Sequence, residues 1–152
     1  MLGKTTMKFL PLLGKRLKDD EVVDVLENAE MEVVYDFDRL HENAPDKYWA
    51  ESKKDGYQFG FDADQILSVI FLYTAPVDGF TPITRSDCDV SFFATTEEVE
   101  AYGADQKLRT TKGKADFLGT RRDWVRLEYE RYSIHHEFRD GGLALVTIKK
   151  NE

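Results

Sequence analysis

The chain has a single cysteine, Cys88, so no disulfide can close within it. A fold held without such links suits a reducing compartment, and a cytoplasmic location is expected. No stretch approaches the ~20 apolar residues that a membrane-spanning helix needs. The patch "FLPLLG" near the start is too short for a secretory signal and is broken by Pro11. No membrane partner is expected.

Chemistry-bearing clusters are also scarce. The histidines are His41, His135 and His136. His135 and His136 stand beside Glu137, but neighbours on a strand point to opposite faces and do not converge on one ion. A nucleophilic thiolate wants cationic neighbours, whereas Cys88 lies between Asp87 and Asp89. There is no glycine-rich phosphate loop, since "GGL" after Asp140 reads as a hairpin turn. The carboxylate pairs Asp36/Asp38 and Asp87/Asp89 read as solvated surface groups. No catalytic residue, cofactor site or metal site is therefore assigned, and the chain is not expected to be an enzyme.

A basic excess is missing too. The net charge of the 152 residues is −8. Residues 18–46 hold eleven acids against Lys18 and Arg39, and so carry the whole excess. Such a field repels nucleic acid and favours a cationic partner. The basic stretches "TTKGK" (Thr110 to Lys114) and "TRRD" (Thr120 to Asp123) read as loops and are weak evidence for nucleic-acid binding.

What the chain does have is a self-similar pattern. Shifting the sequence by 77 residues puts Phe61 on Phe138, Ile66 on Leu143, Val69 on Val146 and Phe71 on Ile148. A shift of 75 puts Trp49 on Trp124 and Tyr57 on Tyr132. Val22, Val25, Leu26 and Ala29 recur at helical spacing. Thr95-x-x-Glu98 has the form of a capping box and opens a short helix that Gly103 is placed to end. Four alternating segments follow each helix: "EVVYDF", "KYWAES", "YQFGF" and "ILSVIFLY", then "KLRTT", "DWVRLEYE", "YSIHHEF" and "LALVTIKK". "DADQ" and "RDGG" mark turns between hairpin partners.

The pattern predicts an α+β fold of two tandem units, each a helix followed by a four-stranded antiparallel sheet, with the helices on one face. The strands form one continuous sheet or two abutting ones. The first unit is expected over 1–75, a linker over 76–89 and the second unit over 90–152, within one compact domain. Val69, Phe71, Val146 and Ile148 are expected on a buried face.

A tandem helix-plus-four-strand arrangement resembles the fold of beta-lactamase inhibitor protein and of the small outer-membrane assembly lipoproteins. The residues are also similar to bacterial toxin immunity-type proteins. They are Gly56, Phe61, Asp64, Leu67, Ile70 and Tyr73 at mid-chain, then Trp124, Tyr129, Tyr132, Phe138, Asp140, Gly141, Leu143 and Ile148 toward the end. The likeness covers the chain from about Phe9 onward. It departs from the lipoproteins in having no lipid-bearing cysteine. It implies a protein that binds a cognate toxin and neutralises it by occlusion, as in interbacterial competition; the alternative is a non-catalytic adaptor or scaffold. The binding residues expected from the acidic stretch are Asp20, Glu21, Asp24 and Glu27 on a helix, followed by Tyr35, Asp36, Phe37, Asp38, Glu42 and Asp46, where acids stand among aromatics. The expected partner is a protein toxin with a basic surface.

Overall fold

Every segment with period-two alternation becomes a strand of the same sheet. The computed structural model describes residues 7–36, 47–83 and 88–151. Its helices are α1 (Asp20–Asn28) and α2 (Thr96–Asp105), with one 3-10 turn at Leu10–Leu12. Its strands are β1 (Val33–Asp36), β2 (Lys47–Ser52), β3 (Tyr57–Phe61), β4 (Leu67–Tyr73), β5 (Arg109–Phe117), β6 (Thr120–Glu128), β7 (Tyr132–Arg139) and β8 (Gly142–Lys150). All neighbours pair antiparallel, in the order β1-β2-β3-β4-β8-β7-β6-β5.

The expected fold class is corrected by this topology. There are not two tandem helix-plus-four-strand units under a layer of helices. The described residues form mostly one eight-stranded antiparallel sheet with two short helices of 9 and 10 residues. The reason lies at the centre. Ile70 and Leu72 of β4 sit directly opposite Ile148 and Val146 of β8, and all four are fully buried. Separate sheets would leave those two strands as exposed apolar edges.

One face of the sheet is covered, mostly by irregular chain rather than helix. Phe9 is fully buried and meets Tyr57 and Phe59 edge-on at 5.2 and 6.3 Å. Its segment is held by backbone hydrogen bonds from Gly14 to Leu67 and from Leu67 to Lys15, at 2.9 and 2.8 Å. The Asp89 carboxylate accepts from the Phe9 and Leu10 amides at 2.9 and 3.1 Å, tying residues far apart in the chain. Val22 of α1, Met31, Val90 and Val99 of α2 complete the cover.

Three local expectations also change. Helix α2 is capped by Thr95, whose hydroxyl accepts from the Glu98 amide at 3.2 Å, but it runs through Gly103 to Asp105. Gly103 serves close approach: a Cβ there would stand 2.6 Å from Thr110 Oγ1 and 2.7 Å from Leu127 Cδ2. The basic stretches Thr110 to Lys114 and Thr120 to Asp123 are not loops but the paired arms of the β5–β6 hairpin. Val146 and Ile148 are in the core, but Val69 and Phe71 pair with Lys149 and Thr147 on the other face and are only half-buried.

Candidate functional site

Alternation sends every second strand residue to the second face of the sheet, which no described helix covers (the uncovered face). Three cross-strand rows result. One runs Trp49, Gly60, Val69, Lys149, Ser133 and Glu128. The middle row runs Glu51, Gln58, Phe71, Thr147, His135 and Arg126. The third runs Tyr73, Leu145, Glu137 and Trp124. From β2 to β6 the rows span five strand spacings, about 24 Å. Most of these side chains are half-buried. Neither helix crosses this face, since α2 packs through Gly103 on the side of Thr110 and Leu127, and α1 lies with Phe9 and Tyr57.

Two aromatic clusters stand at opposite corners. Trp49 lies over Gly60, where a Cβ would come within 2.7 Å of the indole Cζ3 and 2.5 Å of Val69 Cγ1. It stacks with Phe71 at 6.2 Å between ring centroids, and the Lys47 ammonium stands 5.6 Å from its ring. Trp124 lies over Gly113, where a Cβ would come within 2.6 Å of Cε2, and stacks with His135 at 5.2 Å. In both places a mid-strand glycine lets an indole lie flat against the sheet.

Charge is arranged around the second cluster. The Arg126 side chain is 41% exposed and reaches Glu128 at 3.6 Å. Arg139 donates to Glu137 at 2.8 Å. Burial pushes the His135 imidazole below its ordinary pKa; Glu137 opposes that shift and Arg126 adds to it. His135 is thus a neutral, flat platform near pH 7. With Arg109, Arg122, Lys47 and Lys149 on the same side, the face is mildly cationic in an acidic chain. The corner at Tyr73 is closed by Phe80, stacked on it at 3.9 Å, while the Tyr73 hydroxyl donates to Gln58 at 3.2 Å.

The binding residues expected from sequence lie elsewhere. Asp20, Glu21, Asp24 and Glu27 are exposed on α1, on the covered side of the sheet. Tyr35 and Asp36 are exposed on the edge strand β1, where Tyr35 stacks on Tyr48 at 4.9 Å. Phe37, Asp38, Glu42 and Asp46 fall outside the described residues. Sequence reasoning read Trp49, Phe71, Trp124, His135 and Arg126 as ordinary strand positions. The signal available for them was a glycine paired across from each tryptophan.

Other features offer less chemistry. His136 points into the core, 1% exposed, with Nδ1 3.3 Å from the Val125 carbonyl, so the adjacent histidines face opposite sides. Among the described residues, no group of His, Cys, Asp and Glu is placed to hold a metal ion, and no helix is long and apolar enough to cross a membrane. A recess of about 310 Å³ between α1 and β3 is lined by Phe9, Val25, Ala29, Tyr57 and Ile83. Burial, aided by Asp55, pushes the Tyr57 phenol there up to about 12, which keeps it a neutral hydroxyl.

Comparison of the chain with models of protein families, with curated proteins and with solved structures finds no match.

Proposed function

We propose that this chain binds a protein through the uncovered face of its sheet and acts as an immunity-type inhibitor, neutralising a bacterial toxin by occlusion. The observation that carries the reading is the pairing of Trp49/Phe71 and Trp124/His135 across an area of interface size, ringed by arginines and glutamates. Tryptophan and arginine dominate the binding energy of protein interfaces, especially where a polar rim excludes water. Flat stacking over glycine fixes both indoles in advance, which lowers the ordering cost of association. The function needs no catalytic group, and a cytoplasmic site of action goes with the single cysteine.

The exposed acids of α1 take a secondary role. They lie behind the contact face, so they steer a partner with a basic surface rather than touch it. Affinity capture with three forms of the protein tests this division. The wild type and a form with Asp20, Glu21, Asp24 and Glu27 changed to Lys are expected to retain the same partner, the second with slower association. The double variant Trp49→Ala/Trp124→Ala is expected to lose it, each indole being worth about 2 kcal/mol or more. Retention by the tryptophan variant and loss by the charge-reversed one would overturn the reading.

A further inference from the structure

Around β6 on the uncovered face, positive charge outweighs the acids that answer it. Arg109 and Arg126 both stand beside the Glu128 carboxylate, at 3.4 and 3.6 Å. Two guanidinium groups thus share one carboxylate. The neighbouring acid, Glu137, is taken by Arg139 at 2.8 Å. Neither contact of Glu128 is the close, two-pronged pairing that arginine and carboxylate form when each is committed to the other.

Arg126 is also incompletely hydrogen-bonded. Its Nε is buried without a hydrogen-bond partner among the described residues, and so is Oγ1 of Thr111, directly across from it on β5. Buried polar atoms are normally paired, so two such atoms on opposed residues are exceptional. The guanidinium itself is not shut in, because the Arg126 side chain is 41% exposed. On its other side lies His135, directly opposite on β7, whose ring stacks with Trp124 at 5.2 Å. Arg126 therefore stands against a flat aromatic wall. A charge-assisted hydrogen bond made there is screened from water once a partner covers it, and is the stronger for that.

We infer that Arg126 receives the carboxylate of an aspartate or glutamate side chain of the partner protein, while apolar groups beside that carboxylate pack on Trp124 and His135. The inference rests on the proposed use of the uncovered face and names one contact within it. The carboxylate pairs with the outer nitrogens of the guanidinium fork, and Glu128 is left to Arg109. A phosphate chain fits less well, because its repeated charges would meet Glu128 and Glu137, which flank the row of Arg126 on either side. The acids of α1 act at a distance on the partner's total charge, whereas Arg126 meets one group in contact, so the two preferences coexist.

Two measurements test this. The first uses the free full chain and a capped tripeptide, leucine-aspartate-leucine, at low ionic strength. Titration is expected to move the nuclear magnetic resonances of Arg126 Nε and of the Trp124 indole to saturation, whereas the asparagine counterpart leaves both in place. Arg126→Lys keeps the charge but loses the fork. Read at the Trp124 indole, it should bind the tripeptide about fivefold more weakly or worse while unfolding at the wild-type temperature. Trp49→Ala, at the opposite corner of the face, should bind it normally. The second measurement labels the carboxyl groups of the captured partner with a carbodiimide and glycine ethyl ester, at saturating concentrations of wild type or Arg126→Gln. At least one partner carboxyl is expected to be protected by the wild type and labelled with the variant, while other protections persist. The inference is overturned by equal effects of the two tripeptides, by normal binding to Arg126→Lys, by saturation with a short oligonucleotide but not with the tripeptide, or by a complex in which no partner carboxyl depends on Arg126. Failure of the uncovered face as the contact is read separately, by retention of the partner on the Trp49→Ala/Trp124→Ala variant, so the two failures are distinguishable.

Discussion

At the scale of single residues, His136 is the clearest point of pH sensitivity. Burial lowers its pKa from the ordinary 6.5 to about 4, with the Val125 carbonyl opposing the shift and His135 adding to it. The fold therefore favours neutral imidazole. Its contribution is complete above about pH 6.5 and is lost as pH falls from there toward 4. Over that window the wild type should lose stability relative to His136→Leu by up to about 1.4 kcal/mol per pH unit. Urea unfolding of both proteins at several pH values measures the difference. A constant gap would mean that His136 is protonated in the fold or is not buried.

Leu118 makes the opposite kind of prediction. It sits at the β5–β6 turn with φ of 50°, next to Gly119 at 83°, and is 90% exposed. Leucine pays about 1–2 kcal/mol in the left-handed region, and asparagine tolerates it better. Leu118→Asn is expected to raise stability by about 0.5–1 kcal/mol in urea or thermal unfolding. A loss would show that Leu118 packs against something.

At the scale of elements, β4 shows what could and could not be read in advance. Its span was legible, because "ILSVIFLY" is apolar and bounded by turn residues. Its facing was not, because large apolar residues occupy both parities. Matching Phe71 to Ile148 by similarity set it in the core, whereas pairing sets it opposite Thr147 on the uncovered face. Only the ladder fixes parity, and a slip of one residue exchanges the faces. Ile70→Ala should therefore cost about 2–5 kcal/mol, and Phe71→Ala less than about 2. Equal losses would place both side chains in the core.

The turns and caps were more legible because their chemistry is local. Asp140 and Gly141 take φ of 49° and 89°, as a two-residue hairpin needs, and Thr95 caps α2. The covering layer was not legible. Asp89 reaching back to the amides of Phe9 and Leu10 is a long-range contact with no period to announce it.

At the scale of the whole molecule, charge and aromatic surface are divided. The exposed acids Asp20, Glu21, Asp24 and Glu27 lie on α1, on the covered side of the sheet, while both tryptophans lie on the uncovered face. A run of acids is visible in any sequence. A face assembled from six strands is not, because its members are spread from Trp49 to Lys149 and only the order β2-β3-β4-β8-β7-β6 brings them together.

That arrangement supplies its own reporter. Trp49 and Trp124 are the only two tryptophans of the chain, and both belong to the proposed contact face. Fluorotryptophan incorporated into this chain alone gives two fluorine resonances that the partner's own tryptophans cannot obscure. Addition of the captured partner is expected to shift both resonances and to shield both from a soluble paramagnetic quencher, while the α1 charge-reversed form gives the same shifts. Full binding with both resonances unmoved and still quenched would contradict the uncovered face as the site of contact.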